Sequence, residues 1–155
     1  MLRNEHLTGD ARMDHLHEEF DELLQQLRAC APENAAHTLG DLISHTRAHF
    51  GQEDKWMRDH SFPNGQCHMD EHAQVLASLE QVHERLCADD HRALPRLVQA
   101  LEDWFPGHVQ HLDSALAQWI VQRKWNAQPI MLRRNAAVLE ASFEPDQAAL
   151  SRFGA

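Results

Sequence analysis

The sequence predicts an all-α protein, an antiparallel up-and-down four-helix bundle with a C-terminal helical extension. Apolar residues recur at spacings of three and four along most of the 155-residue chain, which is the period of amphipathic helices. Turn-forming residues interrupt this pattern at only a few points, and the sequence contains no internal repeat and no alternating strand pattern. Long amphipathic helices joined by short links favour antiparallel neighbours in a bundle.

The first two helices precede the turn at residues 60–65. The first is predicted to begin near Asp10, which favours the N-cap position, and to end by Cys30. The second is predicted to run from about Glu33 to Arg58. Their predicted buried faces are Met13, His17, Phe20, Leu24 and Leu27 in the first helix, and Leu39, Leu42, Thr46, His49, Glu53 and Trp56 in the second.

The third and fourth helices follow that turn. The third is predicted to end at about Ala88, and Asp89-Asp90 opens a short connection. The fourth begins around Arg92, with Pro95 in its first turn, where proline is tolerated. Their predicted buried faces are His68, His72, Val75, Leu79, Val82 and Leu86 in the third helix, and Leu97, Leu101, Trp104 or Phe105, His108, Leu112, Ala115 and Trp119 in the fourth.

The C-terminal part, residues 121–155, is predicted to be a helical extension of the bundle formed by residues 1–120. One interpretation is a fifth helix that packs on the bundle and stabilises it. The other is a contact for a homodimer or a partner. Trp119, Trp125, Ile130 and Leu132 would form an exposed apolar patch if nothing covered them.

The charge of the chain limits its partners. Lys and Arg number 14 and Asp and Glu 24, so the net charge is −10 with neutral histidines. Such an acidic surface repels phosphate backbones and anionic lipids, so neither nucleic acid nor a membrane is expected as a partner. Without an apolar stretch typical of a signal peptide or a membrane span, the expected location is cytoplasmic. Cys30, Cys67 and Cys87 are expected to be free thiols.

Thirteen histidines are the unusual number in this composition, which contains no tyrosine. Burying an unpaired imidazole costs on the order of 1 to 3 kcal/mol, yet five histidines lie on the predicted buried faces of four helices. Glu53 shares a face with His49. Residues four apart on a helix can point at one position, as in the pairs His49/Glu53 and His68/His72. The five histidines are His17, His49, His68, His72 and His108.

These residues also lie at similar heights in the predicted bundle, to within about one helical turn. A buried cluster of imidazoles with one or two carboxylates suits iron, zinc or copper better than magnesium or calcium. Five imidazoles with carboxylates exceed one coordination sphere. The sequence therefore predicts two metal ions bridged by carboxylates.

The candidate ligands fall in four segments, one in each helix. The segments are Asp14-x-x-His17-x-x-Phe20, His49-Phe50-x-x-Glu53, His68-x-x-x-His72 and Trp104-x-x-x-His108-Val109-x-x-x-Asp113. In their order and spacing, residues 10–120 resemble the hemerythrin family. The resemblance implies a centre of two iron ions with an oxo or hydroxo bridge. The ligands it implies are His68, His72 and His108 for one iron, His17 and His49 for the other, and Glu53 and Asp113 as bridges.

The function that the resemblance implies is reversible binding of O2, or of another small diatomic ligand, for storage, delivery or sensing. The second iron would keep an open position for O2. Phe20, Leu24, Phe50 and Trp104 would shield the site from water. The alternatives are an enzyme of the same architecture that reduces peroxide or nitric oxide or repairs iron–sulfur centres, and an iron or zinc buffer.

The spacing between His108 and Asp113 does not fit a regular α-helix. Five residues correspond to about 140° around the helix, so regular geometry would favour His111, three residues from His108. A bridge needs a carboxylate, however, and a local π-type turn would align residues five apart. Pro106-Gly107 supports such a distortion, and the alternative is that Pro106 breaks the helix.

The other histidines are not expected to bind metal. His45 lies one turn before His49 and either donates a hydrogen bond near the site or sits partly exposed between helices. Those expected to face solvent are His6, His15, His37, His60, His83, His91 and His111.

Overall fold

A computed structural model describes residues 6–126 of the chain, with side chains through residue 124. This part is helical throughout its regular structure and contains no strand. The helices are α1 (Ala11–Ala29), α2 (Ala35–Asp59), α3 (Gly65–Cys87), α4 (Leu94–His108) and α5 (Ser114–Asn126). A 3-10 turn, Pro32–Asn34, precedes α2, and a π turn, Val109–Asp113, joins α4 to α5. The predicted fold class is confirmed, and the four predicted helices begin and end close to the expected residues.

Local chemistry accounts for the helix starts. A side-chain oxygen of Asp10 accepts a hydrogen bond from the main-chain nitrogen of Arg12 at 3.0 Å, which caps α1 as expected. Pro95 lies in the first turn of α4, where a missing N–H costs little. Pro106 lies inside α4 without ending it, so the alternative of a broken helix is wrong.

The described part of the chain up to Ile120 forms one compact unit, which contains the bundle. Helices α1 and α2, α2 and α3, α3 and α4, and α1 and α4 pack against each other. None of the described helices is long and apolar enough to span a membrane. Of the predicted apolar patch, Trp119 is partly buried and donates its indole N–H to the carbonyl oxygen of His60 at 2.9 Å. Its other members, Trp125, Ile130 and Leu132, fall outside the described side chains, so the role of the C-terminal extension stays a prediction.

The core of the bundle consists of two apolar clusters. The larger one includes Phe20 on α1 and Leu79 on α3, and the smaller one includes Met13 on α1 and Trp56 on α2. Along α1, His17 lies between Met13 and Phe20, so a polar residue separates the two clusters. Asp113 likewise lies between Val109 of the larger cluster and the residues of the smaller one, Leu116, Ala117 and Ile120.

The predicted buried faces of the first three helices are confirmed, with Val75 only partly buried. The prediction for the fourth helix is wrong beyond His108, because the π turn adds one residue and shifts the register. Instead of Leu112, Ala115 and Trp119, the buried residues there are Val109, Asp113, Leu116, Ala117 and Ile120.

Candidate metal centre

All seven side chains predicted as ligands converge in the polar layer between the two apolar clusters. Each is buried, with at most 4% of its surface exposed. Potential ligand atoms form two groups, within each of which all atoms lie within 4.8 Å of one another. The first group contains Glu53, His68, His72, His108 and Asp113, and the second contains His17, His49 and Glu53.

Glu53 faces both groups with different oxygen atoms. Its Oε1 lies 2.9 Å from Nε2 of His49 and 3.7 Å from Nε2 of His17. Its Oε2 lies 3.2 Å from Nε2 of His72 and 3.7 Å from Nε2 of His68. One carboxylate thus presents one oxygen to each set of imidazoles.

The carboxylate of Asp113 also presents one oxygen atom to each set of imidazoles. Its Oδ2 lies 3.0 Å from Nε2 of His17, whereas its Oδ1 lies 3.0 Å from Nε2 of His68 and 3.2 Å from Nε2 of His108. The π turn makes this possible, because it aligns residues five apart. His111, which regular geometry would have favoured, is exposed.

Three imidazole nitrogens meet in the first group. Nε2 of His108 lies 3.3 Å from Nε2 of His68 and 3.3 Å from Nε2 of His72. Neutral imidazoles that point lone pairs at each other repel, whereas a cation between them would accept all three lone pairs.

The hydrogen-bonding state of the buried atoms tests whether this donor set suits a cation. Neither oxygen of Asp113 has a hydrogen bond of acceptable geometry, although imidazole nitrogens lie near both. Oε2 of Glu53 and Nε2 of His17 also lack one. Buried carboxylate oxygens without hydrogen bonds are costly, and a metal ion would satisfy them. The residues therefore fit a metal centre.

The acid–base properties of the layer reflect close opposite charges. Burial disfavours the imidazolium form of His17, but the adjacent carboxylates of Asp113 and Glu53 outweigh burial and raise the pKa of His17 to about 10. Burial also opposes ionisation of Asp113, yet the imidazoles of His108, His17 and His68 beside it hold the pKa of its carboxyl well below the usual value. Burial opposes ionisation of Glu53 too, yet the charge of His49 helps to hold the pKa of its carboxyl below the usual value, so both carboxylates are strong candidates for binding a cation.

In three of the ligand imidazoles, Nδ1, the nitrogen that faces away from the proposed metal position, lies within hydrogen-bonding distance of an oxygen atom. Nδ1 of His17 donates to the main-chain carbonyl of His6 at 3.0 Å. Nδ1 of His72 lies 2.9 Å from Oδ1 of Asp54, and Nδ1 of His108 lies 2.8 Å from Oε2 of Glu71. Such outer hydrogen bonds orient a ligating imidazole with Nε2 toward the metal position.

Sequence reasoning missed these outer residues. His6 was expected to face solvent, but it is 2% exposed, so that prediction is wrong. It precedes the first helix, where helical periodicity gives no signal. The spacing between Asp54 and His72, or between Glu71 and His108, shows no pattern that sequence alone could detect.

The remaining histidines differ in exposure. His45 is partly buried between α1 and α2 and has its Nε2 3.1 Å from the carbonyl oxygen of Leu16. Cys67 is an exposed free thiol next to His68. As expected, His15, His37 and His111 are exposed; His60, His83 and His91 are partly buried.

Aromatic side chains enclose the layer. Phe50 stacks on the ring of His72 with 3.9 Å between centroids, and Trp104 lies 4.5 Å from the ring of His108. Phe105 contacts the ring of His17 edge-on at 5.4 Å. Phe105 was an alternative to Trp104 for the buried face, and it is the more buried of the two. The centre is thus shielded from water.

Comparison with known proteins agrees with this geometry. The family model for the hemerythrin HHE cation binding domain matches residues 8–120. A bacteriohemerythrin from Ralstonia nicotianae is 36% identical over 115 residues, which cover 74% of this chain and 84% of that protein. Because both similarities extend over most of the chain, the protein belongs to the hemerythrin family of metal-binding proteins.

Proposed function

We propose that this protein binds O2 reversibly at a centre of two iron ions. His68, His72 and His108 would hold one iron, and His17 and His49 the other. The observation that carries this proposal is the division of two carboxylates between the two sets of imidazoles. Glu53 and Asp113 would each bridge the irons, because a carboxylate can bind two ions through its two oxygens.

The donor set supports iron and an oxygen-binding role. Imidazole suits iron, zinc and copper, and membership of the hemerythrin family favours iron among these. Two ferrous ions would supply the two electrons that reversible O2 binding uses. The second group has two imidazoles where the first has three, which would leave a coordination position open for O2.

The chain's own residues would protect this chemistry. Phe50 and Phe105 are buried against the imidazoles and exclude water and external reductants from the polar layer. The main-chain carbonyl of His6 fixes the ring of His17.

The proposal is tested by loading the metal-free protein anaerobically with two equivalents of Fe(II), admitting air and then sparging with argon. We expect a visible charge-transfer band that appears with air and disappears under argon. Glu53→Ala should lose the band and part of the iron. His83→Ala is the matched control, because His83 lies eleven residues after His72 on α3, about 16 Å along the helix, and should change neither.

Prompt irreversible oxidation without such a band would contradict the proposal. Turnover of peroxide or nitric oxide by the iron-loaded protein would instead favour an enzyme of the same architecture. Equal iron loss in Glu53→Ala and His83→Ala would show that the centre lies elsewhere.

A further inference from the structure

The two sets of imidazoles differ in what lies behind them. In the first group, His72 and His108 each place Nδ1 against a carboxylate, at 2.9 Å from Asp54 and 2.8 Å from Glu71. In the second group, Nδ1 of His17 donates to a main-chain carbonyl. Among the described residues, Nδ1 of His68 in the first group and Nδ1 of His49 in the second have no hydrogen-bond partner. Negative charge therefore supports only one half of the centre directly.

The two carboxylates are in contact with water. Asp54 and Glu71 are partly exposed, unlike Glu53 and Asp113, so water can solvate the oxygens that face away from the imidazoles. Glu71 is also fixed by a second donor, since Nε1 of Trp104 lies 3.2 Å from its Oε1. The ring of Trp104 in turn packs on His108. Glu71 thus holds both the ligand and its aromatic neighbour.

We propose that Asp54 and Glu71 are positioning residues that make the three-histidine half the tighter of two unequal metal sites. An ionised carboxylate that accepts a hydrogen bond from Nδ1 makes Nε2 of the same ring a stronger donor, and it also fixes the ring orientation. A neutral carbonyl does this more weakly. This inference rests on the proposed two-metal centre and specifies which of its two sites binds metal more tightly.

The consequence is that the two metal ions would be bound with different strengths. A stronger donor set stabilises the more highly charged state of the metal it holds. The metal in the three-histidine half would remain firmly bound, and the metal beside His17 and His49 would be the more weakly held partner. The asymmetry therefore comes from outer residues as well as from the number of imidazoles.

The test measures stepwise binding of Zn²⁺ to the metal-free full chain by competition with a chromophoric chelator. Zn²⁺ is redox-inert, so the result does not depend on O2 chemistry. In Asp54→Asn and Glu71→Gln the tighter step should weaken about 10- to 100-fold. The control is Asp70→Asn, because Asp70 neighbours Glu71 but is exposed and accepts a hydrogen bond from Nε2 of Gln66 at 2.7 Å.

Four outcomes decide the matter. Weakening in both variants with an unchanged control supports the inference, provided far-UV circular dichroism shows intact helices. Unchanged affinities in both variants overturn it, and so does an equal loss in Asp70→Asn, which would indicate a general charge effect. If the Zn²⁺ affinities shift as expected but the iron-loaded protein shows no reversible O2 band, the inference stands and only the proposed function fails.

Discussion

His17 shows most clearly how a single residue is adapted to bind a cation. Its ring is fully buried. Nδ1 donates a hydrogen bond to the main-chain carbonyl of His6, and Nε2 lies beside the carboxylates of Asp113 and Glu53. An isolated buried imidazole would become neutral, because burial lowers its pKa. Here the two carboxylates raise the pKa of His17 to about 10 instead. The ring therefore carries a proton at neutral pH until a metal ion replaces that proton.

This proton leads to the first prediction. A metal ion binds only the neutral ring at Nε2, so metal binding at pH 7 must release a proton from His17. The raised pKa means that protons compete below about 10, and the apparent affinity should therefore increase as the pH rises from 7 to 9. Calorimetry of Zn²⁺ binding in buffers of different ionisation enthalpy measures the released protons.

A solvent-exposed histidine provides the control for this experiment. His37→Gln removes an exposed imidazole that lies twelve residues before His49 on α2. This substitution should leave the proton release unchanged. An affinity that does not vary between pH 7 and 9 would contradict the prediction, because a histidine of ordinary pKa is already neutral there.

At the scale of a helical element, the π turn at residues 109–113 decides which residues face the centre. It places Asp113 beside His108 and satisfies part of its own backbone, since the Ser114 hydroxyl donates to the carbonyl oxygen of Val109 at 2.9 Å. The turn amounts to one extra residue in an otherwise continuous helix. Downstream, Leu116, Ala117 and Ile120 keep the same face as Asp113.

This geometry gives the second prediction, a pair of opposite length changes. Deleting exposed Gln110 leaves Asp113 four residues after His108, a spacing that lies on one face of a regular α-helix. We expect this variant to bind as much metal as the unaltered protein. Inserting an alanine after Gln110 turns Asp113 about 100° further around the helix and should lower the metal content.

Metal per chain and the midpoint of thermal unfolding check this pair. Equal metal loss in the deletion and the insertion would show that the π turn itself, rather than the direction of Asp113, is required.

The π turn also marks where sequence reasoning about the elements ended. The helix starts could be predicted, because Asp10 and Pro95 act locally on the backbone. Six of the seven residues that meet in the layer could be named from helical spacing, since five imidazoles and the Glu53 carboxylate conflict with an apolar face, whereas Asp113 was named from the family resemblance and the need for a bridging carboxylate. The buried face beyond His108 could not, because one inserted residue shifts a periodic pattern without changing its period. Asp54 and Glu71 depend on contacts between helices, which periodicity does not encode.

At the scale of the whole bundle, the polar layer separates two apolar clusters and includes residues from α1, α2, α3 and α4 with the π turn. A layer of buried imidazoles and carboxylates weakens a core unless it is satisfied. Two metal ions in this layer would connect all four helices of the bundle. The centre would then stabilise the fold as well as bind a ligand.

The third prediction follows from this linkage. A ligand that binds only the folded state adds RT ln(1 + [L]/Kd) to the free energy of unfolding, about 4 kcal/mol at a free concentration 1,000 times the Kd. Removing the metal with a chelator should therefore lower the midpoint of urea unfolding markedly, whereas chelation should change the midpoint of Glu53→Ala much less. Zn²⁺ should restore the stability without restoring the O2-dependent band, because it fills the layer but supplies no electrons. An unfolding midpoint that does not respond to chelation would mean that the bundle tolerates its buried carboxylates unaided, and the metals would then have no structural role.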